Sequence, residues 1–432
     1  MRTRTILACA ALFALGIVAE PAAAQGLFLS SSGPVNRSMG GAAVAAPLDA
    51  IGAIRWNPAT INGLSSSELG FGADLIFPSV SAESTITGLA SGSTDADPGV
   101  TAIPSVGWVH KLEDSPFAIG LGVMGVGGFR TNYPSSVSNP LFLPQSNTLG
   151  VPGGFGRVYT SAQFMDIAPV VSMAVNDCLS FGVSPIITLG EVFVDPLVIA
   201  APDDADGSTV PRYSSGAGTH LHWGAGVQFG AYYIVNPEWR VGASLRTPTW
   251  MQSMHYQATD ELGLPKSSRF LWDLPLVVST GVSYAGIEST LIAVDLRYID
   301  YSNSSGWGDS GFNPDGSLRG LGWGSVLSLA VGMQRELTER LAARVGYTFN
   351  QNPIPDSLTT INVAAPLHYQ HQIGTGLSYM LAPNVSLNGA YTYYLPHTMT
   401  GPLLTPAGPV PGSSVSSTIS AHVASFGITV KY

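Results

Sequence analysis

The sequence predicts an all-β protein: a transmembrane antiparallel β-barrel of about fourteen strands, with an N-terminal hatch (plug) inside its lumen. The chain is apolar, with a mean hydropathy of +0.25. Only 11% of its residues are charged, against about 25% in soluble domains. Beyond Ala24 it has no run of about 18 apolar residues, which a spanning helix would need. Segments of alternating polarity fill most of the chain, and lipid admits only helices or closed barrels across its apolar layer.

The start of the chain has the pattern of a signal peptide. Arg2 and Arg4 give a basic start, an apolar run follows, and Ala22-Ala23-Ala24 is a small-residue cleavage pattern. We therefore expect residues 1–24 to be removed during secretion and the mature chain to start at Gln25.

The charged and metal-binding residues exclude several functions. The formal net charge is −10, and an acidic chain with so few lysines is a poor binder of nucleic acid. Cys178 is the single cysteine of the predicted mature chain, so we expect no internal disulfide and no cysteine-based metal site. His220 and His222 have a spacing that could hold a metal. No cysteine or carboxylate pattern accompanies them, so we expect no metal and no cofactor.

Residues 25–66 differ from the rest of the chain. They are rich in glycine and alanine, show no alternation, and precede the first clear strand. A segment of this length can fold into the lumen of a barrel from the periplasmic side. We therefore divide the mature chain into an N-terminal hatch, residues 25–66, and a transmembrane β-barrel, residues 67–432.

The barrel strands are predicted from alternation, since successive side chains of a strand point to opposite faces. In Leu221–Tyr233, for example, one face is apolar and the other is mostly glycine. The apolar face is expected to contact lipid, so lumen arginines such as Arg246 and Arg297 fall on the opposite face. The predicted strands are residues 67–78, 99–112, 116–129, 160–176, 178–193, 219–235, 238–257, 271–285, 289–302, 322–336, 340–350, 367–381, 384–397 and 417–432.

Short and long connections between these strands alternate along the chain. Turns such as Glu113-Asp114-Ser115 and Asn236-Pro237 are short, whereas the connection over residues 130–159 is long. Outer-membrane barrels have short periplasmic turns and long extracellular loops, so the alternation also predicts orientation. The chain ends on Tyr432, an aromatic ending of the kind that outer-membrane barrels use as an assembly signal.

The segment before the barrel contains a motif. Met39-Gly40-Gly41-Ala42 is followed by Asp49 and then by Asn57-Pro58-Ala59. This arrangement resembles the hatch of the FadL/TodX-type outer-membrane transporters of long-chain fatty acids and aromatic hydrocarbons (the OMPP1 family). Further likeness lies in Val345–Pro355, and the resemblance spans essentially the whole mature chain.

The resemblance implies a fourteen-stranded barrel plugged by the hatch, and it also implies a mechanism. A ligand would be caught among the extracellular loops and pass to an apolar pocket. It would then leave sideways into the membrane through a gap made by a kinked third strand. The implied function is diffusion of small hydrophobic molecules across the outer membrane, with no enzymatic activity.

The motif residues are the predicted hatch residues, and the Asn57-Pro58-Ala59 stretch is the part expected near the gap. The full set is Met39, Gly40, Gly41, Asp49, Asn57, Pro58 and Ala59. The Asn-Pro-Ala stretch has two open interpretations: an element whose displacement lets the ligand pass, or a turn that anchors the plug, since Asn-Pro initiates turns. Asp49 and Arg55 could form an ion pair inside the lumen, or could simply anchor the plug.

The third predicted strand loses its alternation after Val123, where Gly125, Gly127 and Gly128 follow. Glycines within a strand mark bulges, bends or a close approach of another backbone. These three residues therefore predict the lateral opening. The alternative is that the glycines only allow the hatch to pack closely.

The predicted ligand contacts lie in the longest loop. Arg130 and Arg157 bracket it, and an arginine fork suits a carboxylate. Phe142 and Phe155, with Leu141, Leu143, Leu149 and Val151, would form an apolar landing surface, or would simply pack on one another. Arg297 shares its strand face with Asp295, and we expect a local ion pair there rather than a ligand contact.

A general porin and an outer-membrane hydrolase are the alternative functions. The long plug and the low charge disfavour a porin, and no compact motif brings a serine, a histidine and an acid together. The predicted partners are a hydrophobic small molecule, outer-membrane lipid and lipopolysaccharide of a Gram-negative cell, and the barrel-assembly machinery. We expect a monomer. Whether the substrate is a fatty acid, an aromatic hydrocarbon or another lipophile stays open.

Overall fold

A computed structural model describes residues 25–145 and 153–432. The predicted signal peptide, residues 1–24, and two predicted loop residues, Leu149 and Val151, lie outside the described residues. In the part of the chain that is described, no helix is long and apolar enough to cross a membrane.

Antiparallel strands form a closed barrel, in which each strand pairs with its neighbours in the chain and the last pairs with the first. The fourteen strands are β1 (Glu68–Ile86), β2 (Thr101–Lys111), β3 (Phe117–Tyr133), β4 (Val158–Ala174), β5 (Leu179–Asp195), β6 (His222–Ile234), β7 (Trp239–Arg246), β8 (Val277–Ile287), β9 (Thr290–Ile299), β10 (Val326–Thr338), β11 (Leu341–Asn350), β12 (His371–Ala382), β13 (Val385–Gly401) and β14 (Ser413–Lys431). The predicted class and strand number are confirmed.

The alternation seen in the sequence corresponds to the two faces of the wall. On β6, Trp223 and Phe229 are half-exposed on the outer face, whereas Gln228 is buried on the inner face. The outer face is apolar because a cation there would cost about 2–4 kcal/mol at the midplane of a bilayer. Arg246 and Arg297 are buried on the inner side, as predicted.

One strand boundary differs clearly from the prediction. The alternation predicts one strand over residues 238–257, but β7 ends at Arg246. Pro248, which has no amide hydrogen to donate, follows the strand. Beyond it, Trp250–Met251 pairs back with β6, and Met254–Thr259 pairs with Pro265–Phe270. Pro265–Phe270 lies in a span that the sequence predicts as a loop. Its polar sequence has no apolar face, so alternation does not indicate a strand there.

On the side of the long connections, several barrel strands are longer than predicted. β1 continues through polar residues to Ile86, and β14 begins at Ser413 instead of residue 417. Outside an apolar layer both faces can be polar, so the alternation that predicts a strand disappears. Short strands in the long connections are Ala90–Asp95, Ser215–Thr219, Ser310–Phe312, Leu318–Leu321, Leu404–Thr405 and Gly408–Pro409.

The residues before β1 fill the lumen as the hatch. Helix α1 (Gly33–Ser38) leads to a tight reversal at Gly40 and Gly41, whose φ angles are +63° and +87°. Helix α2 (Ala50–Trp56) and a 3₁₀ helix (Pro58–Gly63) follow. Three further helical turns lie in the loops: Pro140–Phe142, Asp356–Leu358 and α3 (Thr359–Asn362).

The inner wall meets the hatch through glycines on most strands. A Cβ atom added to any of them would come within 3.0 Å of a hatch atom. At Gly346, for example, it would lie 2.0 Å from the Gly40 nitrogen. We call this set the glycine girdle; it comprises Gly107, Gly122, Gly182, Gly230, Gly242, Gly281, Gly332, Gly346, Gly374 and Gly427.

Replacing a girdle glycine should therefore destabilise the plugged barrel. We expect Gly346→Val to lower the free energy of unfolding by about 1–3 kcal/mol or more, the usual cost of overpacking. Urea unfolding of the purified barrel in detergent, followed by heat-modifiable gel mobility, measures this. Gly389→Val on β13 is the matched control, because a Cβ there meets nothing within 4 Å. Equal stability of the two variants would contradict the steric role of the girdle.

Candidate functional site

A buried ion pair on β9 holds the middle of the hatch. Asp295 accepts hydrogen bonds from the amides of Ala43 at 2.8 Å and Val44 at 3.0 Å, and from Arg297 Nη2 at 2.9 Å. Arg297 Nη2 also donates to the Gly41 carbonyl at 2.5 Å. Both charged side chains are fully buried. The predicted Asp295–Arg297 pair is confirmed, and it is also an anchor for the hatch.

The Met39-Gly40-Gly41 reversal packs directly on the wall. Met39 lies among small residues, including Ala293 and Ala330 of the barrel. Thr348 Oγ1 of β11 donates to the Gly40 carbonyl at 2.6 Å. The two glycines allow the positive φ angles of the reversal, which other residues rarely adopt. The motif therefore shapes the backbone that the girdle contacts.

Asn57 links the two halves of the hatch to the wall. Its Nδ2 donates to the carbonyls of Val44 at 2.8 Å and Ala231 at 2.9 Å, and its Oδ1 accepts from the Ala59 amide at 3.1 Å. Pro58 begins the 3₁₀ helix against Gly182. In this conformation the motif is an anchoring turn. Its displacement during transport stays a prediction.

Asp49 and Arg55 do not form the ion pair considered above. Asp49 caps the N-terminus of α2 by accepting from the Gly52 amide at 3.3 Å. Arg55 is in the last turn of the same helix. Six residues along an α-helix separate them by about 9 Å, so the two charges act at opposite ends of α2.

Strand β3 is only partly paired on its β2 side. In the described ladders, β2 and β3 pair from Lys111–Ala118 up to Ser105–Met124 and no further. On the other side, the register with β4 shifts between Gly125 and Gly127, so Val126 forms a β-bulge. The three predicted glycines therefore lie where the ladder is interrupted. We call the unpaired stretch between β2 and β3 the window.

The first residues of the hatch run along the free edge of β3. The Leu29 amide donates to the Val126 carbonyl at 2.9 Å, and Phe28 forms an isolated β-bridge with Gly127. We call Leu27–Leu29 the strap; all its residues are buried. Above the window, the Asp97 amide donates to the Asn132 carbonyl at 2.8 Å. The strap thus occupies the pairing edge that β2 leaves vacant.

Described residues line a cavity at each of two levels of the lumen. The upper cavity, at the loop end, has an empty volume of about 430 Å³ that is partly open to solvent. Its wall is mostly apolar and includes Phe155, Val198, Phe312, Leu318 and Ile361. The lower cavity is narrow, with space for about one water molecule, and lies against the hatch; it is lined by Gln25, Phe28, Arg55, Trp56, Gln228, Ser244, Arg246, Val277 and Ser279.

The predicted ligand contacts are scattered. Phe155 lines the upper cavity, whereas Phe142 is fully buried and stacks on Tyr133 with ring centroids 4.6 Å apart. Arg157 is half-exposed, donates to Asn132 Oδ1 at 3.0 Å and lies over the Tyr159 ring. Arg130 pairs across from Ser161 after the bulge. Neither arginine lines the two cavities, and their contact with a ligand stays a prediction.

Sequence reasoning predicted that Arg246 faces the lumen, where it lines the lower cavity, but it missed the carboxylate that pairs with it. Arg246 forms a two-point ion pair with Asp166, with N–O distances of 2.5 and 3.2 Å. A second ion pair that was missed joins Arg37 of the hatch to Asp74 of β1 at 2.6 Å. Asp166 sits on the inner face of β4 between Phe164 and Ala168. An acid among the inward positions of an otherwise apolar strand is the signal that could have revealed it.

His220 and His222 do not join a cluster of three or more metal-binding side chains in the described residues. His222 Nδ1 lies 2.5 Å from the His220 carbonyl oxygen, and its ring stacks on His255. In the described residues, the carboxylates of Asp204, Asp206 and Glu261 come close enough to share an ion. Arg212 already lies 3.2–3.3 Å from two of them, so their charge is partly balanced by the protein itself.

Residues 14–432 match the model of the family described as outer membrane protein transport protein (OMPP1/FadL/TodX). A comparison with curated protein sequences finds no match.

Several solved structures have a similar fold. A FadL homologue of Pseudomonas aeruginosa superposes with a TM-score of 0.71 at 15% identity, covering 94% of this chain and 99% of that one. The Ralstonia pickettii toluene transporter TbuX gives 0.68 at 17% identity, with the same coverage of 94% and 99%. The P. putida toluene transporter TodX gives 0.68 at 14%, again covering 94% and 99%. At these identities the likeness establishes the shared fold.

Removing the Asp295 carboxylate should loosen the hatch. Asp295→Ala leaves Arg297 buried and unpaired and frees two hatch amides, so we expect a loss of about 3–5 kcal/mol. Planar-bilayer recording should show larger and noisier conductance than for the parent protein. Adding Arg297→Met removes the stranded charge and should recover part of the stability. Asp315→Ala in an exposed loop is the control, and quiet bilayers for Asp295→Ala would contradict the anchoring role.

Proposed function

The chain belongs to the OMPP1/FadL/TodX family of outer-membrane transport proteins, and we propose that it carries small hydrophobic molecules inward across the outer membrane by diffusion. The observation that supports this most is the apolar upper cavity above a lumen filled by the hatch. Ligand pockets are typically concave and mostly apolar, with few polar groups. The solved relatives include transporters of toluene, a neutral hydrocarbon.

The proposed route has three stages. A lipophile enters the upper cavity beside Phe155 and Phe312, then passes the Thr359–Asn362 helix toward the lower cavity. It leaves through the window when the strap releases the edge of β3. The local structural reason for an exit here is the bulge at Val126, followed by Gly127 and Gly128. A bulge interrupts regular pairing and bends the strand. A lateral exit delivers an apolar solute into lipid without crossing the periplasmic half of the hatch.

The two alternatives have less support. A general porin needs a water-filled lumen, whereas the hatch contacts the glycine girdle on most strands. A hydrolase would need a serine activated by a histidine. Ser417 Oγ does lie 3.2 Å from His368 Nε2, but the other ring nitrogen faces His397. Burial and the neighbouring His397 lower the pKa of His368 to about 3, which makes it a weak general base. We propose that the protein is not an enzyme.

The outer surface fits the proposed partners. Its belt of half-exposed aromatic and aliphatic side chains, such as Phe71, Phe181, Leu377 and Phe426, suits contact with lipid and lipopolysaccharide. We propose that the barrel-assembly machinery recognises the edge of β14 near Tyr432, whose amide donates to the Ser67 carbonyl at 3.0 Å. We also propose that the protein is a monomer.

Uptake of radiolabelled toluene and oleate by cells that lack the gene, with and without the gene restored, tests the proposal. We expect restoration to raise uptake of at least one of the two while conductance to small ions stays low. An outer-membrane barrel that restores neither solute but conducts ions freely would instead support a porin.

A reversible staple tests the window separately. A Cβ placed on Gly125 would lie 3.7 Å from the Ile103 Cβ, a spacing that suits a disulfide. In a Cys178→Ser background, Ile103→Cys/Gly125→Cys should link β2 to β3 at the lower edge of the window. We expect uptake to fall about tenfold or more when the pair is oxidised and to return on reduction.

The controls for the staple are the two single cysteine variants, which should transport equally in both redox states. Heat-modifiable mobility should show that all variants are folded. Undiminished uptake by the fully oxidised double variant would rule out the window as the exit while leaving transport itself intact.

A further inference from the structure

The first residue of the expected mature chain is held inside the lumen. Gln25 is fully buried, and its carbonyl oxygen accepts a hydrogen bond from the Tyr301 hydroxyl at 2.8 Å. At Gly26, whose φ is +68°, an added Cβ would lie 2.8 Å from the Tyr301 side chain and 2.9 Å from the Trp323 ring. Signal-peptide cleavage after Ala24, which the sequence predicts, therefore creates a new N-terminus at a closed position within the hatch.

The surroundings of this residue are positively charged. Gln25 lines the lower cavity together with Arg55 of α2 and Arg246 of β7. The carboxylate that balances Arg246 is Asp166, whose two oxygens accept from that arginine, and one of them accepts from Thr188 as well. Arg55 lies against aromatic rings, and its Nε is buried without a hydrogen-bond partner. These two arginines and one carboxylate leave positive charge in excess around residue 25.

A free N-terminus would add a further charge at this position. An α-amino group has an ordinary pKa of about 7.7–8.0, so it is mostly an ammonium group in neutral water. Burial and the neighbouring arginines both disfavour that charged form. The side-chain amide of Gln25 adds to the cost, because its oxygen and its nitrogen are buried without hydrogen-bond partners. A neutral N-terminus with fewer donors fits the site better.

We propose that Gln25 is converted to pyroglutamate once the signal peptide is removed. The α-amino nitrogen attacks the side-chain carbonyl carbon Cδ, so the Nα–Cδ bond forms and the Cδ–Nε2 bond breaks. Nε2 takes up the proton that the amine loses and leaves as ammonia. The step therefore needs no oxidant, reductant or other co-reactant. The product is a neutral lactam, with one N–H and one carbonyl in place of an ammonium group and a primary amide.

The strap can keep its contacts when this ring forms. The Tyr301 hydroxyl bonds to the carbonyl oxygen of Gln25 and lies 3.3 Å from the Phe28 amide, and neither of these atoms takes part in the cyclisation. The ring is also more compact than the open side chain, which suits a cavity with space for about one water molecule. The modification thus removes charge and unpaired donors at the point where the strap begins.

Chemical labelling of free amines tests the modification. The full chain is expressed in a Gram-negative cell, purified from outer membranes, unfolded at neutral pH and dimethylated before digestion with trypsin. Residues 26–36 contain no lysine or arginine, so the N-terminal peptide of the mature chain ends at Arg37. We expect this peptide to be unlabelled in most chains and lighter by one ammonia than its sequence requires. Labelling before digestion excludes cyclisation during the digest.

Gln25→Met is the matched control, because methionine has a side chain of similar length and cannot cyclise. Its N-terminal peptide should carry the label. A labelled glutamine at the N-terminus of most parent chains would overturn the proposal, and so would a mature chain that begins at another residue.

The same variant tests why a neutral N-terminus is needed. We expect folded Gln25→Met to unfold at a lower urea concentration than the parent at pH about 6.5, and the difference to shrink at pH about 9.5, above the ordinary α-amino pKa. The unfolded chain binds this proton more readily than the folded one, so a rise in pH removes the penalty. The other charged and titratable groups around Arg55 are Tyr301 and the Arg297–Asp295 pair. They are the same in both proteins, so their titration cancels in the comparison.

A second substitution identifies the cation that opposes the free amine. Adding Arg55→Met to Gln25→Met should recover part of the lost stability at pH about 6.5, where the α-amine is mostly charged in water. Heat-modifiable mobility shows that each variant is folded. A deficit of equal size at both pH values, unrelieved by Arg55→Met, would overturn the role that we assign to the neutral ring.

Discussion

The wall of this barrel comes so close to the hatch that, on most strands, there is no room for a side chain between them. Gly230 faces Asn57, Gly242 faces the Val44 carbonyl, and Gly346 faces the Gly40 amide. Main chain therefore packs on main chain, and polar groups of the hatch must bond to the wall because water has no space there. Asp295, Arg297 and Asn57 supply those bonds from the two sides.

This close packing explains where free space remains. Below the loops, a small cavity lies beside the strap and α2, where Phe28, Arg55 and Trp56 present rings and a charge instead of backbone. The same part of the hatch lies along the unpaired edge of β3. A rearrangement confined to Leu27–Leu29 would leave the girdle contacts and the Asp295 anchor intact. Local motion at the strap is thus far less costly than movement of the whole hatch.

The features that lipid and secondary structure determine were predictable from the sequence. Alternation gave the strand number, because each strand must turn an apolar face outward, and the glycines of β3 marked its interruption. Which face of β3 carries Arg130 was not predictable from alternation. The bulge at Val126 inserts one residue, so every later side chain of the strand points to the face opposite to the one that alternation predicts. The Arg246–Asp166 pair joins residues far apart in the chain, and the Arg55 guanidinium lies against the Phe28 and Trp56 rings, so neither arrangement follows from a local charge pattern.

The girdle also constrains how such a molecule can be built. A chain already folded into helices and a tight reversal cannot slide past glycines that touch it on most strands. The hatch therefore has to enter the lumen either as an unfolded chain or before β1 pairs with β14 and closes the cylinder. In both cases the final packing of the hatch and the final shape of the wall form together, as two parts of one folding unit.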